Sequence, residues 1–457
     1  VDRHAAARPR LVVVGNGMAG MRTVEELLKR RPDRYDITVF GAEKQVNYDR
    51  ILLSAVLAGE KELDEIVIHP RRWYDENGIT LVADDRVVDI DRQSRTVTSA
   101  SGRVAGYDRL LLATGSQPLL PEIAGTGLAG VCTFRDVADV DTMIRAAREH
   151  RRAIVIGGGL LGLEAANGLR KRGMAVTVVH LMDSLMERQL DKAAAALLRR
   201  ELEQRGIDIR AGSEPAAILG SERALGVRLT DGCELPGDLV VIAVGIRPNV
   251  DLARLAGLEI DRGIAVGDDL RSSDPAIFAV GECVEHRGKT YGLIAPLWEM
   301  AKICADHLAA EAGSPSAYAG SVPATRLKVT GIDVFSAGDF RGDATTEDIV
   351  FRDASRRIYK RLVLRDDRLT GVVLYGDSRD AGWYVQLLRD GARLGELRDL
   401  MIFGQDYAAP AASIAVAAPA PLSPPTGEAR GRRLAVARRR PGPRPARKRA
   451  SRANAFS

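Results

Sequence analysis

A strand, a glycine-rich turn, a helix and a second strand occur in that order twice in the chain, and this repeat constrains the fold more than any other feature. The apolar run Leu11 to Val14 leads into a turn holding Gly15, Gly17 and Gly20. An amphipathic segment follows to about Arg31, ends before Pro32, and gives way to Ile37 to Phe40. The pattern returns as Ala153 to Ile156, a turn with Gly157, Gly159 and Gly162, a helix to about Arg172, and the strand Val176 to Val179. This order opens a parallel, doubly wound sheet, so the chain is predicted to be α/β with two Rossmann-like units.

Both turns fit G-x-G-x-x-G, in which absent side chains permit the tight turn, the approach of a pyrophosphate and close helix packing. The helix starts at Met18 and Ala19, and at Leu160 and Leu161, would offer backbone amides and a partial positive charge to that pyrophosphate. A ribose-binding carboxylate is expected just past the second strand of each unit. In the first unit that place holds Gly41, and Glu43 is the candidate to reach the ribose, the alternative being a solvated loop acid. In the second unit it holds His180, which leaves NADH and NADPH both open; Arg188 is either a partner for a 2′-phosphate or a solvated charge. Two dinucleotides in one chain suggest electron transfer between them, because a nicotinamide gives up hydride as an electron pair and a flavin can release electrons singly.

Composition narrows the setting. At 457 residues, 46% hydrophobic and 28% charged, the chain can bury several cores. It shows no run of about 18 apolar residues and no secretory-type apolar stretch after its first residues, so a cytoplasmic protein without membrane spans is expected. Its four cysteines, Cys132, Cys233, Cys283 and Cys304, form no C-x-x-C pair, and its six histidines show no ligand spacing, so no bound metal is expected. Residues 408–457 hold ten Arg and one Lys against Glu428, a formal +10 that leaves −5 for the rest of the chain. The folded part therefore gives no reason to bind nucleic acid. The Ala/Pro/Arg-rich segment is predicted to be disordered. It is either a truncated or out-of-frame end, or a tail able to bind acidic polymers non-specifically.

Further motifs carry a resemblance. Ala113-Thr114-Gly115-Ser116, Gly245-Ile246-Arg247-Pro248 and Val280-Gly281-Glu282 resemble, in order, the signatures of the FAD/NAD(P)H reductases that include rubredoxin, ferredoxin and glutathione reductases. The resemblance implies FAD at the first glycine turn and NAD(P)H at the second. Ala113, Thr114, Gly115, Gly245 and Gly281 then line the cofactors, and Glu282 stands where relatives place an Asp on the ribityl chain. It also implies the organisation of 1–116 and 247–320 as the two parts of an FAD domain and 117–246 as an inserted NAD(P)H domain. The strand-like runs Ile358 to Leu364 and Leu369 to Tyr375, separated by Arg365 to Arg368 as a hairpin, make 321–407 a small α+β domain, with 408–457 as the tail.

A narrower likeness runs over about residues 10–407. Asn47 to Ser54, Gly157 to Glu164, Leu185 to Asp191 and Leu327 to Asp333 resemble the flavin half of the assimilatory NAD(P)H nitrite reductase large subunit. It implies Arg50 against FAD and Glu164, the catalytic candidate, at the nicotinamide–flavin junction; the plainer alternatives are a surface cation and a helix-surface acid. Without a cysteine pair, the disulfide relay of the glutathione-reductase branch is not expected. Cluster-ligating cysteines are also not found, so the chain is expected to lack iron–sulfur and siroheme parts and to pass electrons to a separate acceptor protein or module. The sequence leaves a homodimer open. It also leaves open a stand-alone reductase for a rubredoxin, ferredoxin or nitrate reductase partner, and a non-enzymatic redox-sensing flavoprotein.

Overall fold

The computed structural model describes residues 8–310, 316–321, 324–329 and 331–408. The expectations for the basic tail therefore fall, from residue 409 onward, outside the described residues.

Two five-stranded parallel sheets form the body. The first runs in the order Ile277–Ala279, Arg109–Leu112, Arg10–Val14, Asp36–Phe40, Ile79–Val82. The second repeats that plan as Val131–Thr133, Leu239–Ile242, Arg152–Ile156, Ala175–His180, Ile207–Ala211. The central strands are near-continuous apolar runs because both faces are covered: Leu11, Val12, Val13 and Leu110 to Leu112 in the first sheet, and Ile154, Val155 and Leu239 to Ile242 in the second, are all buried. Helices Met18–Arg30 and Leu160–Lys171 follow the two glycine turns, as the apolar spacing predicts.

The repeat extends beyond what periodicity revealed. Between Ile79–Val82 and Arg109–Leu112 of the first unit lies a three-stranded antiparallel meander, Val87–Asp91, Thr96–Ser99 and Val104–Gly106. The second unit has its counterpart in Pro215–Leu219, Gly226–Leu229 and Glu234–Pro236. The chain leaves the first unit through Ser116–Pro118 and returns through Ile246–Pro248, and these two short strands pair antiparallel. This ribbon places Gly115 and Gly245 at one crossing point: the Asn249 amide donates to Gly115 O and the Leu119 amide to Gly245 O, both at 2.9 Å.

The C-terminal part is α+β. Its antiparallel sheet runs Ala324–Val329, Ile332–Gly338, Arg368–Tyr375, Ile358–Arg365, Glu347–Asp353, with helix Ala381–Asp390 packed on it through Tyr384. The hairpin expected around residues 365–368 is tighter than its sequence suggests. Only Asp366 and Asp367 form the turn, at φ of 51° and 58°, the left-handed pair that matches strand twist. Ile332, Val334, Tyr359, Val373 and Tyr375 of this sheet share one core with Leu53, Leu57, Leu163 and Leu198, which fixes the C-terminal part against the second unit.

Candidate functional site

The two glycine turns are near copies in backbone geometry. Gly15 and Gly157 have φ of 118° and 124°, a region that only glycine enters readily. A Cβ added at either would lie 2.1 Å from Ala113 O or 2.2 Å from Ala243 O, so each glycine presses on the neighbouring strand end. Gly20 and Gly162 press back on the turn itself: a Cβ would come within 2.8 Å of Gly15 O and 2.0 Å of Gly157 O. Gly17 and Gly159 behave differently. They are the N-caps, in extended conformation, no side chain caps either helix, and an added Cβ meets nothing within 4 Å. An uncapped helix start with open space beside it is what an approaching anion requires.

The first turn holds a second polar feature. Asn16 Oδ1 accepts from Tyr74 Oη at 2.7 Å and its carbonyl from Asn47 Nδ2 at 3.0 Å, but its buried Nδ2 has no partner among the described residues. That orphaned donor lies between Gly15 and Gly17, and it marks the first turn as fitted to a polar ligand. Gly281, at φ 92°, brings the late sheet strand onto the same helix start, where its Cβ would lie 2.9 Å from that of Ala19.

A chain of charge contacts spans this region. Glu43 does not point away into solvent: Oε2 accepts from Tyr48 Oη at 2.7 Å and Oε1 from Arg50 Nη2 at 2.5 Å. Arg50 lies over the Tyr48 ring at 5.2 Å and donates from Nη1 to the Arg135 carbonyl at 2.5 Å. The Arg135 guanidinium in turn donates to Glu282 Oε2 at 2.5 Å, and Ser116 Oγ donates to the same oxygen at 2.8 Å. Thr114 Oγ1 donates to the Asn249 carbonyl at 2.7 Å. Arg50, Glu43, Gly115 and Glu282, separate in sequence, thus meet around Arg135. Arg135 was missed by sequence reasoning, since it follows a short strand and belongs to no motif.

Glu164 lies on helix Leu160–Lys171, the face of which packs on Leu53–Leu57. Burial pushes its carboxyl up to about 7, and a hydrogen bond with Ser54 pulls the other way. It is therefore neither a plain surface acid nor part of the second turn; it sits against the segment that carries Arg50. At the second turn, Met18 and Ala19 find their counterparts in Leu160 and Leu161, both half-buried. His180 packs on Gly158, whose amide donates to His180 Nδ1 at 3.1 Å, while Nε2 faces Glu187 Oε2 at 3.1 Å. His180 therefore points inward at the turn, and sequence reasoning did not single out Glu187 as the acid beside it.

Burial raises the Cys283 thiol and pushes the Cys132 thiol up to about 12, so neither is a ready thiolate. No group of His, Cys, Asp and Glu among the described residues could hold a metal ion, and no described helix is long and apolar enough to cross a membrane.

The model of the family described as pyridine nucleotide-disulphide oxidoreductase matches residues 9–301, and that of the rubredoxin NAD+ reductase C-terminal domain matches 323–392. A nitrite reductase (NAD(P)H) of Bacillus subtilis (strain 168) is 45% identical over 395 residues, covering 86% of this chain and 49% of that protein. The assimilatory nitrate reductase electron transfer subunit of the same organism is 44% identical over 374 residues, covering 82% of this chain and 48% of that protein. The chain thus spans about half the length of these relatives. Among solved structures, the covalent putidaredoxin reductase–putidaredoxin complex superposes with a TM-score of 0.77 at 26% identity, covering 85% of this chain and 94% of the matched chain.

Proposed function

The chain belongs to the pyridine nucleotide-disulphide oxidoreductase family, and from that premise we propose that it takes hydride from NAD(P)H onto FAD and passes the electrons to a separate acceptor. The observation that carries this reading is the pair of matching uncapped glycine turns, one in each parallel sheet, joined by the ribbon Ser116–Pro118 and Ile246–Pro248. When bound, FAD supplies a two-electron acceptor that can release electrons one at a time, and NAD(P)H supplies the hydride.

In this reading Gly15, Gly17, Met18, Ala19 and Gly20 hold the FAD pyrophosphate, with Ala113, Thr114, Gly115 and Gly281 closing around it. Arg50, held by Glu43, and Glu282, held by Arg135, complete the first site. Gly157, Gly159, Leu160, Leu161, Gly162 and Gly245 take the nicotinamide dinucleotide. Glu164 holds a proton at its carboxyl where the second helix meets Ser54, at the junction of the two sites. Residues 1–116 with 247–320, and 117–246, are the two dinucleotide domains of this scheme. Burial holds the Cys132 and Cys283 thiols above their ordinary range, so no thiolate is invoked there, and alignment of the two rings and exclusion of water carry the chemistry.

The acceptor is proposed from the relatives. The likeness to a nitrite reductase and to a nitrate reductase electron transfer subunit supports the role of electron-input module in nitrite or nitrate assimilation. A stand-alone reductase for a small iron–sulfur protein is favoured by the rubredoxin-reductase-like C-terminal domain and by the putidaredoxin reductase likeness. The purified chain is expected to carry FAD and to oxidise NADH or NADPH with ferricyanide as acceptor. A flavin-free protein inactive with both nucleotides contradicts the reading.

A further inference from the structure

The second strand of a dinucleotide-binding unit ends where the adenosine ribose is read: a carboxylate there accepts from the 2′-hydroxyl, whereas a cation accommodates a 2′-phosphate. In this chain the strand Ala175–His180 ends in a histidine, and the structure shows what that histidine does. Nδ1 accepts from the Gly158 amide at 3.1 Å, so the neutral ring carries its hydrogen on Nε2, facing Glu187 Oε2 at 3.1 Å. The ring is buried to 9% exposure and fills the space beside the turn, where a Cβ on Gly158 would lie 2.6 Å from its Cγ. With both nitrogens engaged inside the protein, His180 has no donor left for a phosphate.

The loop after the strand is fastened to the same turn, because the Met186 amide donates to Gly158 O at 3.0 Å. The next side chain, Glu187, is thereby brought to the strand end. One carboxylate oxygen rests on His180. The other, Oε1, stands 3.9 Å from Arg188 Nε, and that arginine is itself 81% exposed. Glu187 is 28% exposed, so it is reachable from outside. The missing strand-end carboxylate is thus restored from seven residues downstream, with its position set by the histidine.

We propose that Glu187 is the residue that reads the adenosine ribose, that His180 positions it, and that together they make the second site select NADH over NADPH. The assignment rests on the reading that Gly157 to Gly162 bind the nicotinamide dinucleotide. A 2′-hydroxyl donates to the carboxylate, while a 2′-phosphate would bring negative charge against it and would also lose that bond.

The test is calorimetric binding of NAD+ and NADP+ to the full-length, FAD-loaded chain, compared with Glu187→Ala, Glu187→Arg and His180→Gln. Both oxidised nucleotides leave oxidised flavin unchanged, so binding is read without turnover. The parent chain is expected to bind NAD+ about tenfold or more tightly than NADP+, the worth of one hydrogen bond to a charged group. Glu187→Ala should weaken NAD+ alone and bring the two affinities together, and Glu187→Arg should reverse the order. His180→Gln should narrow the ratio while keeping the same circular dichroism spectrum. Equal affinities in the parent chain, or an equal loss for both nucleotides in Glu187→Ala, would overturn this assignment alone. Binding of neither nucleotide by the parent chain would overturn it together with the reading on which it rests.

Discussion

The guanidinium of Arg135 meets the carboxylate of Glu282 at 2.5 Å across 147 positions of sequence, and the Arg135 carbonyl receives Arg50 on its other side. One residue of the inserted unit therefore holds two residues of the first unit that motif reading assigns to the flavin. Both members of the pair are mostly buried, at 17% and 16% side-chain exposure, so the contact lies between a surface ion pair and a core one.

Arg135→Ala leaves Glu282 with Ser116 as its remaining partner. The variant is expected to lose about 2 kcal/mol of stability in urea denaturation, and to release FAD more readily on dilution. Arg135→Lys, which keeps the charge, should recover part of the loss. An Arg135→Ala protein that matches the parent in both measurements would show that the pair holds nothing in place.

Gly15 and Gly17 should respond in opposite ways. Gly15→Ala places a Cβ 2.1 Å from Ala113 O at φ 118°, and is expected to cost more than about 2 kcal/mol of folding stability. Gly17→Ala meets no protein atom, so its fold should stay within about 1 kcal/mol of the parent while its flavin content collapses. Thermal denaturation of the ligand-free proteins, set beside their flavin absorbance, separates the two effects. Retained flavin in Gly17→Ala would remove the pyrophosphate from that turn.

Glu164 gives the stability a pH signature. Its carboxyl is raised from 4.5 to about 7, so between those values the folded chain binds more protons than the unfolded one, and stability falls as pH rises. The full effect is about 3 kcal/mol at most, present below pH 4.5 and lost above pH 7. Glu164→Gln cannot ionise and should lack that component. Urea denaturation of both ligand-free proteins from pH 5 to 8 should show the variant gaining on the parent as pH rises; parallel curves would place Glu164 in water.

Lys360 is almost fully buried, with its ammonium 3.1 Å from Asp377 and 3.9 Å from Asp380. Lys360→Met should cost roughly 3 kcal/mol by leaving two acids short of a cation, and Asp377→Asn in the same protein should restore most of it. A double-mutant cycle in urea measures the coupling. Additive losses would mean that the pair contributes nothing beyond its separate parts.

The sequence showed the glycine turns and the strands beside them because each depends on neighbours within a few residues: Gly15 must turn and Gly17 must stay bare whatever the rest of the chain does. The helices Met18–Arg30 and Leu160–Lys171 end within one residue of their expected ends for the same local reason. The meanders escaped notice because their strands are short and half-exposed, so alternation is weak. The Glu43–Arg50, Arg135–Glu282 and His180–Glu187 contacts depend on tertiary folding. A lone Arg135 after a three-residue strand looks like any surface cation until Glu282 is brought beside it. His180 was visible as the residue in the ribose position, but its inward orientation is set by Gly158, and nothing in the local sequence announces that.

The central claim is that two dinucleotides lie in one polypeptide with their reactive rings in contact. Anaerobic titration of the FAD-loaded chain with NADH, followed by flavin absorbance, tests it directly. Bleaching of the flavin band that is complete at about one equivalent of NADH is the expected result. A flavin band that persists while calorimetry shows NADH bound would mean that the rings never meet, and would contradict the account.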